Sequence, residues 1–211
     1  PDRVRDEKLK VLRSLRPLQE ASINSQVVRG QYTAGSADGK KSFAYTEEEG
    51  VADTSTVETF VAMKVQIDNM RWSGVPFYMR TGKRLPRRSC EIVVQFKQIP
   101  HWIFNTPKGP LMDNQLVITL QPNESITLRL CGKRFGSGMD VRTIDLNLSP
   151  SSRGSKRSTE AYERLLLDVV KGDQTLFLRQ DELEEAWSWV DPVLAHWDSS
   201  SAPPEFYSAG S

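Results

Sequence analysis

From residue 57 onward, apolar and polar side chains follow a two-residue rhythm. Thr59, Val61, Met63, Val65 and Ile67 fall on one side, and Phe60, Ala62, Lys64, Gln66 and Asp68 on the other. That period marks a half-buried strand. Shorter strand-like runs are predicted at residues 26–32, 77–79, 92–96, 116–120, 126–130 and 141–148. From residue 57 on, no helical pattern separates these runs. Parallel neighbours would need a crossover of about a dozen residues, so antiparallel pairing is expected. Turn-forming clusters at 69–74, 122–124 and 132–138 supply the connectors.

Three segments read as helices. Behind Asp2 as a cap, Val4, Leu9, Val11, Leu12 and Leu15 recur mostly at three- and four-residue steps until Pro17. Ala161, Tyr162, Leu165, Leu166 and Val169 share a side of a second helix, with Ser158 or Thr159 as its cap and Gly172 as its stop. A third is expected to start at Asp181, with Glu184 completing a capping box, and to bury Trp187, Val190 and Leu194. Residues 33–56, rich in Gly, Ser, Asp and Glu, are expected to be exposed and mobile, and residues 199–211 to be loose or to lie along the surface. The sum is a sheet with helices packed on it, without internal repeats.

The 211 residues contain 38% hydrophobic side chains, enough for a core, and 28 Lys plus Arg nearly cancel 27 Asp plus Glu. A net charge of +1 excludes broad nucleic-acid adhesion, which needs a stripe of unneutralised cations. Single-strand binding by the basic loop described below is disfavoured on the same ground. No apolar run reaches the roughly 18 to 20 residues of a membrane span, and Asp168 interrupts the 165–170 stretch. Pro1 stands where a leader or initiating Met would, so a cytosolic fragment with reduced thiols at Cys90 and Cys131 is expected. Two Cys and two His in no ligand spacing argue against a metal.

The chemistry is concentrated in the loop Arg80-Thr81-Gly82-Lys83-Arg84-Leu85-Pro86-Arg87-Arg88, read as a hairpin tip, where five of nine side chains are cationic. Phosphate suits such a pole, because Arg offers a planar fork and Lys a compact charge. The residues alone leave a solvated, solubility-promoting tip equally open. The loop is not a P-loop, since Lys83 is followed by Arg84, and Gly136-Ser137-Gly138 lacks the third glycine of a dinucleotide fingerprint. His101 and His196 read as structural, no Ser sits in a nucleophile elbow, and the carboxylates at 47–49 and 184–185 read as solvated. Gln121 closes a strand, where its amide can project toward a ligand or simply into water.

Several blocks in order resemble the C-terminal domain of the glucose-6-phosphate dehydrogenase family. They are Arg5-Asp6-Glu7-Lys8-Leu9-Lys10-Val11-Leu12, Gly30-Gln31-Tyr32, Glu58-Thr59-Phe60-Val61-Ala62 and the run from Arg71-Trp72-Ser73-Gly74 to Arg80-Thr81-Gly82-Lys83. Glu160-Ala161-Tyr162-Glu163-Arg164, Asp181-Glu182-Leu183-Glu184-Glu185-Ala186-Trp187 and Tyr207-Ser208-Ala209-Gly210 continue the match. The resemblance implies an α+β fold, with a large, mostly antiparallel β-sheet and helices packed on one face. It also implies an NADP-dependent oxidation of glucose 6-phosphate to 6-phosphogluconolactone, in the oxidative pentose phosphate pathway.

In the family, the His–Asp base, the dinucleotide-binding domain and most phosphate ligands precede the position of residue 1. No catalytic residue is therefore expected in residues 1–211, and the chain by itself is expected not to turn over. By the resemblance, Lys83 contacts the sugar phosphate, Arg88 is a basic position of the same site and Gln121 contacts substrate. Arg80 matches an arginine that holds a second, structural NADP in animal enzymes. Other members of that second site stand here as Ser89, Val93, Thr119 and Thr127, with Arg129 keeping a charge, which argues against that dinucleotide. A homodimer through the sheet is implied, and whether dimers pair into tetramers is left open. The alternative is a non-enzymatic module that binds a phosphorylated metabolite or a partner chain.

Overall fold

The computed structural model describes residues 2–37, 39–98, 113–136, 140–149, 161–175 and 177–211. They fall into two units: one joins Pro1–Arg87 to Thr159–Ser211, and the other is Arg88–Ser158. Both are built of β-sheet, and the first also carries the helices, giving an α+β, mostly antiparallel chain.

In the first unit, β1 (Val27–Thr33), β4 (Phe60–Gln66), β5 (Pro76–Gly82) and β10 (Glu205–Ser208) form a four-stranded sheet in the order β10-β1-β4-β5. The alternation read from residue 57 appears in the burial only from Lys64 on, with Val65 and Ile67 buried and Lys64 and Asp68 exposed, while residues 60–63 are all half-buried. Helices α2 (Glu20–Gln26) and α4 (Gln180–Ser199) cover one face. Leu18, Ile23, Val27, Val193 and Trp197 form the core there. Pairing of Val27 with Met63 and Arg29 with Val61 places Val61 and Met63 on the same side, where they pack against that cluster. Helix α1 (Asp2–Arg13) lies against α4, buries Leu9, and inserts Arg5 to donate to the Gln174 side chain at 3.2 Å and to the Gln174 and Phe177 carbonyls. Helix α3 (Ala161–Lys171) stops at Gly172, which takes the left-handed φ of 69° that favours glycine after a helix.

The second unit is an antiparallel meander of β6 (Cys90–Gln95), β7 (Gln115–Gln121), β8 (Ser125–Lys133) and β9 (Val141–Leu148) in sequential order. Its register sorts the side chains. Ile92, Val94, Leu116, Ile118, Ile126 and Leu128 share one face, which continues through Leu130, Ile144, Leu146 and Leu148. The opposite face carries the hydrogen-bonded pairs Thr127–Asn147 and Arg129–Asp145.

Several expectations change. Residues 33–56 are not simply a mobile loop: they hold the ribbon β2 (Gly35–Ala37) with β3 (Lys40–Ser42) and a 3-10 turn at Tyr45–Glu47. The segment from 199 is not loose, because β10 pairs in parallel with β1 from Gly30–Glu205 to Thr33–Ser208 and Ala209 is buried. A four-residue strand without alternation is too short for periodicity to betray it. The last helix starts at Gln180 with Glu182 accepting the Arg179 amide at 2.9 Å, and it buries Val193 and Trp197, whereas Trp187 is half-exposed. The basic loop is no hairpin tip: β5 and β6 belong to different sheets, so residues 83–89 are a connector. Helix α1 ends at Arg13, four residues before Pro17, and α2 was not foreseen. Ser158, Thr159 and His101 lie outside the described residues, as does most of the 149–158 loop.

Candidate functional site

The sequence of the connector dictates its shape. Gly82 ends β5 opposite Phe60, and a Cβ there would come within 2.7 Å of the Phe60 ring and force it to shift. The Lys83 amide then donates to the Thr59 carbonyl at 2.8 Å. Arg84 turns the chain with a φ of 52°, an unusual left-handed conformation for a residue with a side chain. Leu85 is half-buried next to this turn and fixes its exit.

The strained turn is held from two sides. The Gly210 amide donates to the Arg84 carbonyl at 2.7 Å, while the Arg84 guanidinium donates to Glu48 Oε1 at 2.9 Å. Glu48 Oε1 also accepts the Tyr32 hydroxyl at 3.1 Å, and the Arg84 guanidinium stands 6.0 Å from the Tyr32 ring centre. The hydrogen bond from Arg84, aided by that from Tyr32, holds the Glu48 carboxyl below its ordinary value, and the same Glu48 contact raises the Arg84 value. Burial pushes the Tyr32 phenol up, so it remains a donor at neutral pH. Glu48 is thus a strut beneath the loop and not the solvated carboxylate that its acidic neighbours suggested.

One of the five cations, Arg84, is therefore committed to protein. Arg80, Lys83 and Arg88 present exposed side chains and have no carboxylate partner among the described residues. Lys83 differs from the other two in having both backbone groups fixed, for its carbonyl accepts the Tyr207 hydroxyl at 2.8 Å. The result is an exposed ammonium on a side chain whose backbone is held from both sides, available to an anion. Lys83 belongs to the first unit. In the second unit, Gln121 ends β7 with an exposed side chain directly opposite Cys90, two residues past Arg88. The register therefore brings Gln121 and Arg88 to one end of that sheet.

Arg80 lies exposed on β5. Of the other positions matching a second dinucleotide site, Arg129 is held by Asp145 at 3.0 and 3.2 Å, Thr127 donates to Asn147 at 2.6 Å, and Val93 has an apolar side chain. His196 Nε2 shares a hydrogen bond with Asn24 Oδ1 at 3.1 Å. Among the described residues no cluster of His, Cys, Asp and Glu could hold a metal ion, and no helix is long and apolar enough to cross a membrane.

Sequence reasoning singled out Lys83, Arg88 and Gln121 but missed the groups that hold the loop: Glu48, Thr59, Tyr207 and Gly210. Tyr207 and Gly210 sit in a block quoted for its resemblance, yet nothing local to it connects to residue 83. Only the parallel pairing of β10 brings them together.

The family model of the glucose-6-phosphate dehydrogenase C-terminal domain matches residues 1–211. The chain is 50% identical over 209 residues to a glucose-6-phosphate 1-dehydrogenase of Rhizobium meliloti (strain 1021), covering 98% of this chain and 42% of that protein. It is 49% identical over 208 residues to the enzyme of the same name from Mycolicibacterium smegmatis, again covering 98% of this chain and 42% of the relative. A solved glucose-6-phosphate dehydrogenase in complex with its substrate glucose-6-phosphate superposes with a TM-score of 0.84 at 36% identity, covering 100% of this chain and 42% of that one. The chain thus spans about two fifths of the length of the curated relatives it matches.

Proposed function

The chain belongs to the glucose-6-phosphate dehydrogenase family as its C-terminal domain, and on that premise we propose that it supplies substrate contacts and a self-association surface to a dehydrogenase that oxidises glucose 6-phosphate to 6-phosphogluconolactone with NADP. The oxidation removes a hydride from C1 and the proton of its hydroxyl, and no residue of this chain is assigned either task. What this domain contributes is anchorage. Lys83 grips the phosphate, with Arg88 and Gln121 as further substrate contacts.

The observation that carries the reading is the Lys83 stem, with both backbone groups fixed and its ammonium exposed. One such charge about 4 Å from a phosphate oxygen gains roughly 4 kcal/mol of gross attraction at an effective dielectric near 20, before desolvation is subtracted. Pre-fixing the stem limits the entropy lost on binding. In the complete dehydrogenase, Lys83→Ala should raise the Michaelis constant for glucose 6-phosphate far more than that for NADP, as followed by NADPH absorbance. Equal effects on both would remove Lys83 from the substrate site.

We further propose that the enzyme is a homodimer pairing through the sheet β6 to β9, and that it works in the cytoplasm. The first is supported by the aliphatic side chains left in contact with solvent there: Ile92 is 50%, Leu146 55% and Leu148 64% exposed. Sedimentation velocity of the complete enzyme at micromolar concentration should give at least twice the chain mass, and a monomer would contradict the pairing. The cytoplasmic reading is supported by the cysteine usage of the sequence, two residues in no disulfide framework.

A further inference from the structure

The loop that carries Lys83 is fastened by the distant strand β10, through one hydroxyl. Tyr207 Oη lies 2.8 Å from the Lys83 carbonyl, 3.0 Å from Thr59 Oγ1 and 3.3 Å from the Thr59 carbonyl. Proton counting decides how these contacts are used. Thr59 Oγ1 already accepts the Tyr32 amide at 3.0 Å, so its own proton is left for the Tyr207 oxygen. The single Tyr207 proton then goes to the Lys83 carbonyl, whose 2.8 Å contact is well shorter than the 3.3 Å to the Thr59 carbonyl. The chain runs from the Tyr32 amide through Thr59 and Tyr207 to Lys83, and each donor polarises the next.

The ring that delivers this proton cannot wander. It stands edge-on to Phe60 at 5.7 Å and to Tyr32 at 6.4 Å, and its backbone carbonyl accepts Thr33 Oγ1 at 3.2 Å. A lysine that merely solvates a surface turn needs none of this. An ammonium that must meet a ligand at one place does, since a small misplacement of a charged anchor weakens binding steeply. The hydroxyl touches no other described side chain besides Thr59, so its influence on any ligand passes through the Lys83 backbone.

We propose that Tyr207 is a positioning residue, fixing Lys83 for the phosphate of the sugar substrate through the Lys83 carbonyl, with Thr59 orienting its hydroxyl. The inference rests on the reading of Lys83 as a phosphate contact. It is tested by a double-mutant cycle in the complete dehydrogenase, with Lys83→Ala and Tyr207→Phe made singly and together. Tyr207→Phe is expected to raise the Michaelis constant for glucose 6-phosphate roughly two- to tenfold, the range that loss of one neutral hydrogen bond supports. The constant for NADP should not change, and in the Lys83→Ala background Tyr207→Phe should add nothing.

Three results would overturn the proposal: a Tyr207→Phe enzyme with unchanged constants, equal rises for both substrates, or a full additional effect on top of Lys83→Ala. If instead Lys83→Ala itself leaves the glucose 6-phosphate constant unchanged, it is the underlying reading that falls. Should Tyr207→Phe fail to fold, the Thr59 pair carries the same test: Thr59→Ser keeps the orienting hydroxyl and the native constants, and Thr59→Val reproduces the selective loss. Identical behaviour of the two Thr59 variants would overturn the proposal.

Discussion

Gly210→Ala is the most discriminating perturbation of the clamp on the basic loop. Gly210 has a φ of 89°, and a Cβ there would overlap the Ser36 carbonyl oxygen and stand 3.5 Å from the Ala37 Cα. The left-handed dihedral alone costs alanine about 1–2 kcal/mol. Overlap with a backbone oxygen cannot be relieved by a rotamer, so the tail must move. Moving it breaks the Gly210 amide bond to Arg84 at 2.7 Å and the Ser36 amide bond to Ala209 at 2.9 Å, worth about 1 kcal/mol each. Gly50→Ala is the control: its φ is 81°, but nothing lies within 4 Å of the added Cβ, so only the dihedral cost applies. The difference between the variants is about 2 kcal/mol, or roughly thirtyfold in local opening. Amide hydrogen exchange on the peptides covering residues 82–86 and 205–211 of the complete enzyme reads that difference directly. Equal protection of the Lys83 amide in the two variants would refute the claim that the tail holds the loop.

Other consequences follow from the same contacts. Because Arg84 lowers the Glu48 value, the strut contributes stability that is present above the ordinary carboxyl value of 4.5 and lost as the pH falls through the lower native one. Opening of residues 83–85, read as amide exchange corrected for its intrinsic pH dependence, should therefore rise on acidification, and Glu48→Gln should abolish that rise; a corrected profile unchanged by the substitution would contradict the strut. Ile23 is 1% exposed at the centre of the helix-sheet core, so Ile23→Ala should cost about 2–5 kcal/mol in urea unfolding, whereas Phe43→Ala, at a 70% exposed side chain, should stay within about 0.5 kcal/mol. A small effect at Ile23 would show that the cluster is not the core.

Much of this was legible in the chain wherever a repeating pattern ran long enough. The period of two from residue 57 yielded β4 with Val65 and Ile67 on its buried side, and the runs at 116–120, 126–130 and 141–148 yielded the meander of the second unit. Helix α3 was marked by its apolar spacing and by Gly172. Short elements escaped, because α2 spans seven residues and β10 four, too few for a period to rise above composition. The cationic loop declared itself by charge, which cannot distinguish a spent cation from an available one. Arg84 and Lys83 are neighbours of like charge, yet one is tied to Glu48 and the other is not, because a 3-10 turn more than thirty residues upstream happens to face Arg84. Tyr207 was invisible as a partner of Lys83, since 124 residues separate them and only a parallel strand pairing closes that distance.

Every role given to the basic loop depends on the Lys83 ammonium, carried by a backbone held from both sides, receiving the phosphate of glucose 6-phosphate. A crystal structure of the complete dehydrogenase with that sugar bound tests it most directly. Lys83 Nζ should then lie about 2.7–2.9 Å from a phosphate oxygen, with the Tyr207 hydroxyl still on the Lys83 carbonyl. A phosphate held elsewhere, with Lys83 pointing into solvent, would contradict it.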